Sequence, residues 1–339
     1  MIHKISLSYS YHDIISMKNL LEAWKEFKKG KKFKKDVQEF ELNLMENIIS
    51  LHNDLVSKTY KHSEYTPFNI SDPKPRNIHK AVVRDRLLHH AIYRILYPFF
   101  DRTFIADSYS CRLNKGTLKA INRFRTFAYK VSKNNTKTCW VLKCDIRKFF
   151  ASVDHISLRY IVVKYISDKD TNWLLNQVIN SFHSTKPGVG LPLGNLTSQL
   201  FVNIYMNQFD QFTKHKLKAE YYIRYADDFV LFSSNKQELE NVIPKINSFL
   251  NGKLKLTLHP DKVYIKTIAS GVDFLGWVNF TDHRVLRTVT KRRMLKSIKQ
   301  NNGKSKTIQS YLGLLGYGNA RKLIHEIVQT PEELLDRLS

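Results

Sequence analysis

The chain has 339 residues, and its 55 lysines and arginines against 30 aspartates and glutamates give a formal charge of +25 at pH 7. A hydrophobic content of 42% with 25% charged residues is typical of two or three coupled globular subdomains and excludes a disordered chain. The basic excess favours a polyanionic partner such as a nucleic acid. The sequence has no membrane-length apolar run, signal peptide or paired cysteines, so we expect a cytoplasmic protein without a zinc site or disulfide framework.

The first sixty residues are predicted to be a basic helical segment. Residues 17–35 begin as a helix and end in KEFKKGKKFKK, a lysine run that fits either contact with phosphates or a solvated surface. Apolar residues at helical spacing then predict one amphipathic helix over 36–56. A loop punctuated by prolines follows this helix.

From residue 137 the pattern alternates between strands and helices. CWVLKCDI predicts a mostly buried strand that ends near Asp145, helical segments fill 156–183, and GVGLPLGNLTSQ is a glycine-punctuated loop that enters a helix. EYYIRYADDFVLFSS predicts a hairpin with Asp227 and Asp228 at its tip. A helix opened by a capping box at 234–237 and a strand over KLKLTLH complete the order of a split βαβ, ferredoxin-like sheet. The last fifty or so residues are basic and mainly helical in pattern.

Three carboxylates should converge at one edge of this sheet, because the strand ending at Asp145 lies beside the hairpin that carries Asp227 and Asp228. Like charges so close require raised pKa values or bound divalent cations. Carboxylate oxygens suit Mg²⁺, with Mn²⁺ as an alternative ion. Two such ions can activate a 3′-hydroxyl and stabilise a departing pyrophosphate. Taken alone, an Asp-Asp pair is as well explained by turn chemistry.

The surrounding motifs resemble those of reverse transcriptases. YADD, with DIRKFF upstream, resembles their two metal-binding motifs, and KPRNIHKAVVRDRLLHHAI resembles the fingers motif that lines the incoming nucleotide. FLGW at 274–277 resembles the primer grip, and HPDK at 259–262 resembles the segment whose lysine assists the departure of pyrophosphate.

The resemblance implies an α+β right-hand polymerase fold. Its parts would be the N-terminal segment 1–60, fingers over 61–136, a split βαβ ferredoxin-like palm over 137–283 and a helical thumb over 284–339, with finger insertions in the palm around 156–190.

The resemblance also implies roles for single residues. The metal ligands would be Asp145, Asp227 and Asp228, and Lys262 would act on the departing pyrophosphate. Phe150 would lie under the sugar and reject a 2′-hydroxyl, while Phe149 would only pack. The remaining substrate-binding candidates are Arg76 and Lys74 at the triphosphate and Leu193 and Gly194 beside the nucleotide or template.

The loop LPLGNLTSQ resembles that of one particular class of reverse transcriptases. Leu193 stands where most relatives carry glutamine, and Gln199 stands where they carry proline. With DSYSCRLNKGTLKA and SYLGLLGYGNA, this variant resembles the reverse transcriptases of diversity-generating retroelements, which bacteria and phages encode. These copy a template RNA with dNTPs into a cDNA that is mutated at adenines, and they bind a small basic, helical, oligomeric accessory protein. Because leucine cannot hydrogen-bond the incoming nucleotide, we expect Leu193 to weaken discrimination between right and wrong pairs.

Two alternatives remain open. A retron or abortive-infection reverse transcriptase would share the chemistry, although retron enzymes usually keep the glutamine. A noncatalytic RNA-binding protein on a polymerase scaffold would share the basic charge, but it would have no need for all three carboxylates.

Overall fold

The computed structural model describes residues 9–71, 75–301 and 305–329. The N-terminal and fingers elements are the helices α1 (Tyr11–Ile15), α2 (Met17–Lys28), α3 (Lys35–Leu42), α4 (Leu44–Val56), α5 (Val83–Asp101) and α6 (Thr117–Val131), with strands β1 (Thr66–Ile70) and β2 (Arg76–Lys80) forming an antiparallel hairpin. Buried residues of the first helices, such as Trp24 and Phe27, belong to the same hydrophobic core as Leu87 of α5 and Leu142 of the central sheet. The basic N-terminal segment is therefore packed into the main body.

The predicted single helix over 36–56 is wrong, because the chain breaks at Asn43 between α3 and α4. Asn43 leaves helical geometry with φ −116° and ψ 42°. The Asn47 side chain donates a hydrogen bond of 2.9 Å to the carbonyl of Phe40 and so satisfies a group that the break releases. Leu42 is left 84% exposed beside the break.

The central sheet has the predicted split βαβ topology. Its strands are β3 (Trp140–Asp145), β4 (Tyr222–Tyr225), β5 (Asp228–Ser233) and β6 (Tyr264–Thr267), in the spatial order β4-β5-β3-β6 with antiparallel pairing throughout. The helices between them are α7 (Phe149–Ser152), α8 (His155–Val163), α9 (Lys169–Asn180), α10 (Leu196–His215) and α11 (Lys236–Leu254). This order places β3 directly beside the β4–β5 hairpin.

Two local predictions in this region are wrong. KLKLTLH is not a strand, because α11 continues to Leu254, whose side chain follows the helical spacing of the buried Ile246 and Leu250. The last strand of the sheet is β6, further along the chain. Helix α11 is also not opened by a capping box at 234–237; its N-cap is Asn235, whose side chain accepts a hydrogen bond of 2.9 Å from the backbone of Gln237.

The C-terminal part is a small sheet followed by helices. Strands β7 (Val272–Phe274), β8 (Trp277–Asn279) and β9 (Arg284–Leu286) form an antiparallel sheet, and α12 (Thr288–Gln300), α13 (Ser305–Leu315) and α14 (Arg321–Gln329) follow it. These helices share a separate core around Met294, Ile298 and Leu315. Their helical character fits the predicted thumb, whose boundaries, like those of the other subdomains, stay a prediction. None of the described helices is long and apolar enough to cross a membrane.

Candidate active site

The three predicted carboxylates lie together at one end of the central sheet. Asp145 is the last residue of β3 and pairs in register with Asp228, the first residue of β5. Asp227 occupies the turn between β4 and β5. Burial, followed by the charge of Asp145, raises the pKa of Asp227. Burial also raises the pKa of Asp228 to about 7, despite the opposing effect of a lysine beside it. A cluster of this kind favours an incoming cation.

Two lysines balance part of this negative charge. Lys143, whose side chain is only 7% exposed, places Nζ 3.1 Å from Oδ1 of Asp228. That contact is an ion pair without hydrogen-bond geometry, so this buried oxygen has no hydrogen-bond partner. Lys262 donates a hydrogen bond of 3.2 Å to Oδ1 of Asp145, which brings the predicted pyrophosphate lysine into the site.

The donor set fits a hard divalent cation. Carboxylate oxygens are the ligands that Mg²⁺ prefers, and Oδ1 of Asp228, which accepts no hydrogen bond and contacts only the ammonium of Lys143, is an acceptor that such an ion could use. Within residues 9–71, 75–301 and 305–329, however, no three His, Cys, Asp or Glu side chains are already arranged around one metal position. Asp145 and Asp228 are instead paired with lysines.

The hairpin formed by β1 and β2 places a positive charge near the carboxylates. Arg76, at the start of β2, is close enough to Asp227 for its charge to lower the pKa of that carboxyl. Lys74, the other predicted triphosphate ligand, lies outside the described residues. Lys80, at the end of β2, forms an ion pair of 2.6 Å with Asp36 rather than with any of the three carboxylates.

The two arginines of the RDR sequence have structural partners. Arg84 pairs with Asp54, and Arg86 pairs with Asp36. Both guanidinium groups are therefore held in ion pairs with acidic residues of the N-terminal helices.

Helix α7 places the two phenylalanines differently. Phe149 is 3% exposed and belongs to the core, as predicted, while Phe150 is partly exposed and meets Phe149 edge-on with ring centroids 5.6 Å apart. The carbonyl of Phe150 accepts a hydrogen bond of 2.8 Å from the amide of Leu191. The residue predicted to lie under the sugar therefore also anchors the loop that carries Leu193.

Leu193 and Gly194 lie in a loop bonded to the fingers hairpin. The carbonyl of Leu193 accepts a hydrogen bond of 3.0 Å from the amide of His79, and the side chain of Asn195 donates one of 2.8 Å to the carbonyl of His79. Gly194 has φ +99°, and an added Cβ would lie 2.7 Å from Cγ2 of Ile78. Strand β2 therefore approaches the backbone of Gly194 closely, and the role of this glycine beside the nucleotide or template stays a prediction.

A buried ion pair stabilises the YADD turn. Arg224 and Asp210 are both fully buried, and Arg224 donates hydrogen bonds of 2.7 Å from Nε and from Nη2 to the two carboxylate oxygens. Nη1 of Arg224 also donates to the carbonyl of Ala226 at 3.1 Å. Ala226 holds the left-handed φ of +56° at the tip of the hairpin. This pair fixes a turn conformation that alanine adopts only at a cost.

Sequence reasoning missed Lys143, Arg224 and Asn195. Lys143 had a detectable signal, since it is a charged residue inside an apolar strand and lies on the same face as Asp145 two positions later. The partners of Arg224 and Asn195 come from distant parts of the chain, and no local pattern reveals them.

Comparisons with known proteins bear on the family and on the fold. A family profile described as "Reverse transcriptase (RNA-dependent DNA polymerase)" matches residues 70–278. Protein YkfC of Escherichia coli K12 is 27% identical over 300 residues, covering 75% of this chain and 76% of YkfC. The group II intron-encoded protein LtrA of Lactococcus lactis is 22% identical over 62% of this chain, which spans only 44% of LtrA.

A solved structure of apo telomerase from Candida tropicalis superposes with a TM-score of 0.53 at 13% identity, covering 86% of this chain and 68% of that one. This likeness confirms the predicted right-hand polymerase fold.

Proposed function

The chain belongs to the reverse transcriptase family of RNA-directed DNA polymerases, and we propose that it copies the template RNA of a diversity-generating retroelement into cDNA mutated at adenines. The observation that carries the polymerase part is the convergence of Asp145, Asp227 and Asp228 opposite Arg76. The sequence LPLGNLTSQ carries the retroelement part. The similarity to YkfC and LtrA supports only the broader class, because LtrA is by its name a group II intron protein.

In the proposed reaction the three aspartates would hold two Mg²⁺ ions. Bound there, the ions would activate the primer 3′-hydroxyl and stabilise the charge that develops on the phosphates. Arg76 would bind triphosphate oxygens through its planar guanidinium. Lys262 would give up its hydrogen bond to Asp145 and donate a proton to pyrophosphate. Phe150, whose side chain is partly exposed, would exclude a 2′-hydroxyl.

Primer extension tests the catalytic assignment. The double variant Asp227→Ala, Asp228→Ala should lose synthesis on an RNA template with a DNA primer and Mg²⁺ while retaining RNA binding. Asp261→Ala is a matched control, because this carboxylate is 87% exposed and lies in the segment next to the site; it should extend primers like the wild type. Equal synthesis by the double variant and the wild type would refute the assignment. An inactive wild type that still binds RNA would favour the noncatalytic scaffold.

A second experiment tests the mutagenic role of Leu193. Leu193→Gln adds an amide that can hydrogen-bond the incoming nucleotide, so misincorporation at template adenines should fall relative to the wild type. Leu193→Met keeps an apolar side chain of similar size and should leave misincorporation unchanged. Faithful copying of adenines by the wild type would instead favour a retron or abortive-infection enzyme. The small basic accessory protein belongs to the same proposal, and copurification with such a helical protein encoded nearby tests it.

A further inference from the structure

The turn between α2 and α3, residues 29–34, presents an aromatic ring to solvent. Phe33 is 82% exposed, and Nζ of Lys32 lies 4.9 Å from its ring centroid. Leaving a phenylalanine in water forgoes about 1.5–3 kcal/mol of burial free energy. An exposed ring among cations is the arrangement that proteins use to stack nucleic-acid bases.

The cations around this ring divide into paired and unpaired groups. The flanking lysines are paired with acidic residues of the adjoining helices, namely Lys25 with Glu22, Lys28 with Glu41 and Lys35 with Glu39. Lys29, Lys32 and Lys34 are exposed, and none of them forms an ion pair within the described parts of the chain. Lys29, Lys32 and Lys34 therefore carry unbalanced positive charges in the same turn as Phe33.

The turn is held in place rather than free. The amides of Lys31 and Lys34 donate hydrogen bonds of 2.9 Å to the carbonyls of Lys28 and Lys31, and Nζ of Lys31 donates to the carbonyl of Phe27 at 2.8 Å. The conformation of the turn is thus largely formed before any ligand binds, which lowers the entropic cost of binding.

The turn also lies beside the fingers. Asp36, two residues after it, pairs with Lys80 at the end of β2 and with Arg86 of α5. Arg76 stands at the other end of the same strand, so β2 connects the neighbourhood of this turn with the carboxylate cluster.

We propose that Phe33, Lys29, Lys32 and Lys34 form a stacking platform for single-stranded RNA at the turn between α2 and α3. This inference rests on the proposed function, since the RNA would be the template on its way to the active site. A base stacks on Phe33 and the adjacent phosphates lie against the three lysines. The unpaired lysines favour a polyanion over an apolar protein surface. Leu42, which is 84% exposed, lines a groove together with Lys32 and Phe33, and the two glutamates of that groove are paired with Lys28 and Lys35.

Binding of a fluorescein-labelled, unstructured oligouridylate to the full chain tests the platform, by fluorescence anisotropy without dNTPs. Stacking contributes about 1–3 kcal/mol per base, so Phe33→Ala should weaken binding by about 5- to 150-fold. Phe33→Trp should retain affinity, because it keeps a π face. Leu42→Ala is the matched control: it removes an equally exposed apolar side chain without a π face and should bind like the wild type.

The salt dependence gives a second, independent readout. The variant Lys29→Gln, Lys32→Gln, Lys34→Gln removes three phosphate contacts, so the slope of log K against log salt should become shallower by about 2. An unchanged slope, or wild-type affinity in Phe33→Ala, would overturn the proposal. Equal weakening by Leu42→Ala and Phe33→Ala would also overturn it and would indicate a protein-binding surface. Because dNTPs are absent, this result is separate from the primer-extension test of the proposed function.

Discussion

Asp210→Asn should destabilise the fold more than any surface charge change, because it leaves the buried guanidinium of Arg224 without its counter-ion. Both side chains are fully buried, the pair is bidentate at 2.7 Å, and Tyr222 also donates to Asp210 at 2.8 Å. Breaking a buried pair from one side costs about 3–5 kcal/mol. With an unfolding entropy of about 2.1 cal/mol/K per residue over 339 residues, or about 0.7 kcal/mol/K, the melting temperature should fall by about 4–7 °C.

Thermal melting followed by circular dichroism measures this loss. The control is Glu240→Gln, which removes a surface pair with Lys236 whose side chains are 39% and 50% exposed; it should cost at most about 0.5 kcal/mol. Combining Asp210→Asn with Arg224→Gln restores an uncharged hydrogen-bonded pair and should recover at least half of the loss. A melting temperature for Asp210→Asn within about 1 °C of the wild type, or a double variant less stable than the single one, would refute the reasoning.

Three further predictions concern the catalytic end of the sheet. Gly194→Ala should cost about 1–3 kcal/mol in stability and raise the KM for dNTPs. The reason is that φ is +99° and that the new Cβ would lie 2.7 Å from a side-chain carbon of Ile78 in β2. Thermal melting measures the loss of stability, and steady-state primer extension measures the KM. Asn195→Asp keeps a residue that can cap a helix but loses the hydrogen bond to His79. The KM for dNTPs should therefore rise, and hydrogen exchange of the backbone amides in the β1–β2 hairpin should become faster. Asn207 is buried to the same degree, and Asn207→Asp should change neither quantity. Burial raises the pKa of Asp228 to about 7 from 3.8, so its contribution to stability is full below about pH 4 and is lost as the pH rises to about 7. The melting temperature of the wild type should therefore fall relative to Asp228→Asn over that range, and Mg²⁺ should reverse the fall at the upper end; a pH-independent difference would contradict the shift.

The sequence was sufficient for the features whose signals are local. The apolar flanks of YADD and the buried run before Asp145 specify strands by themselves, and the order of elements then leaves few ways to form the sheet. The pairing of Asp145 with Asp228 follows from that order. Convergence of the carboxylates was therefore predictable, whereas their roles in catalysis stay predictions until they are tested.

Features decided by tertiary contacts could not be predicted. The alternation in KLKLTLH favours a strand, but Leu254 also continues the helical spacing of α11. The burial of the Leu254 side chain in the core stabilises the helix over the strand. Asn195 has the local pattern of a helix cap, yet its side chain donates to the carbonyl of His79, more than one hundred residues earlier in the chain. In both cases the competing structures differ little locally, so the packing partner determines the outcome.

The backbone contacts around Leu193 make its proposed role unusually accessible to experiment. The loop is held by the amide of Leu191 on the carbonyl of Phe150 and by the carbonyl of Leu193 on the amide of His79. Neither bond involves the side chain of Leu193, so Leu193→Gln should change the chemistry offered to the nucleotide without releasing the loop. Gly194→Ala does the reverse, because it strains the backbone and adds no hydrogen-bonding group. A fall in adenine misincorporation with Leu193→Gln alone would therefore be caused by the added amide and not by movement of the loop. If both variants changed fidelity equally, loop position and not the missing glutamine would control the error rate.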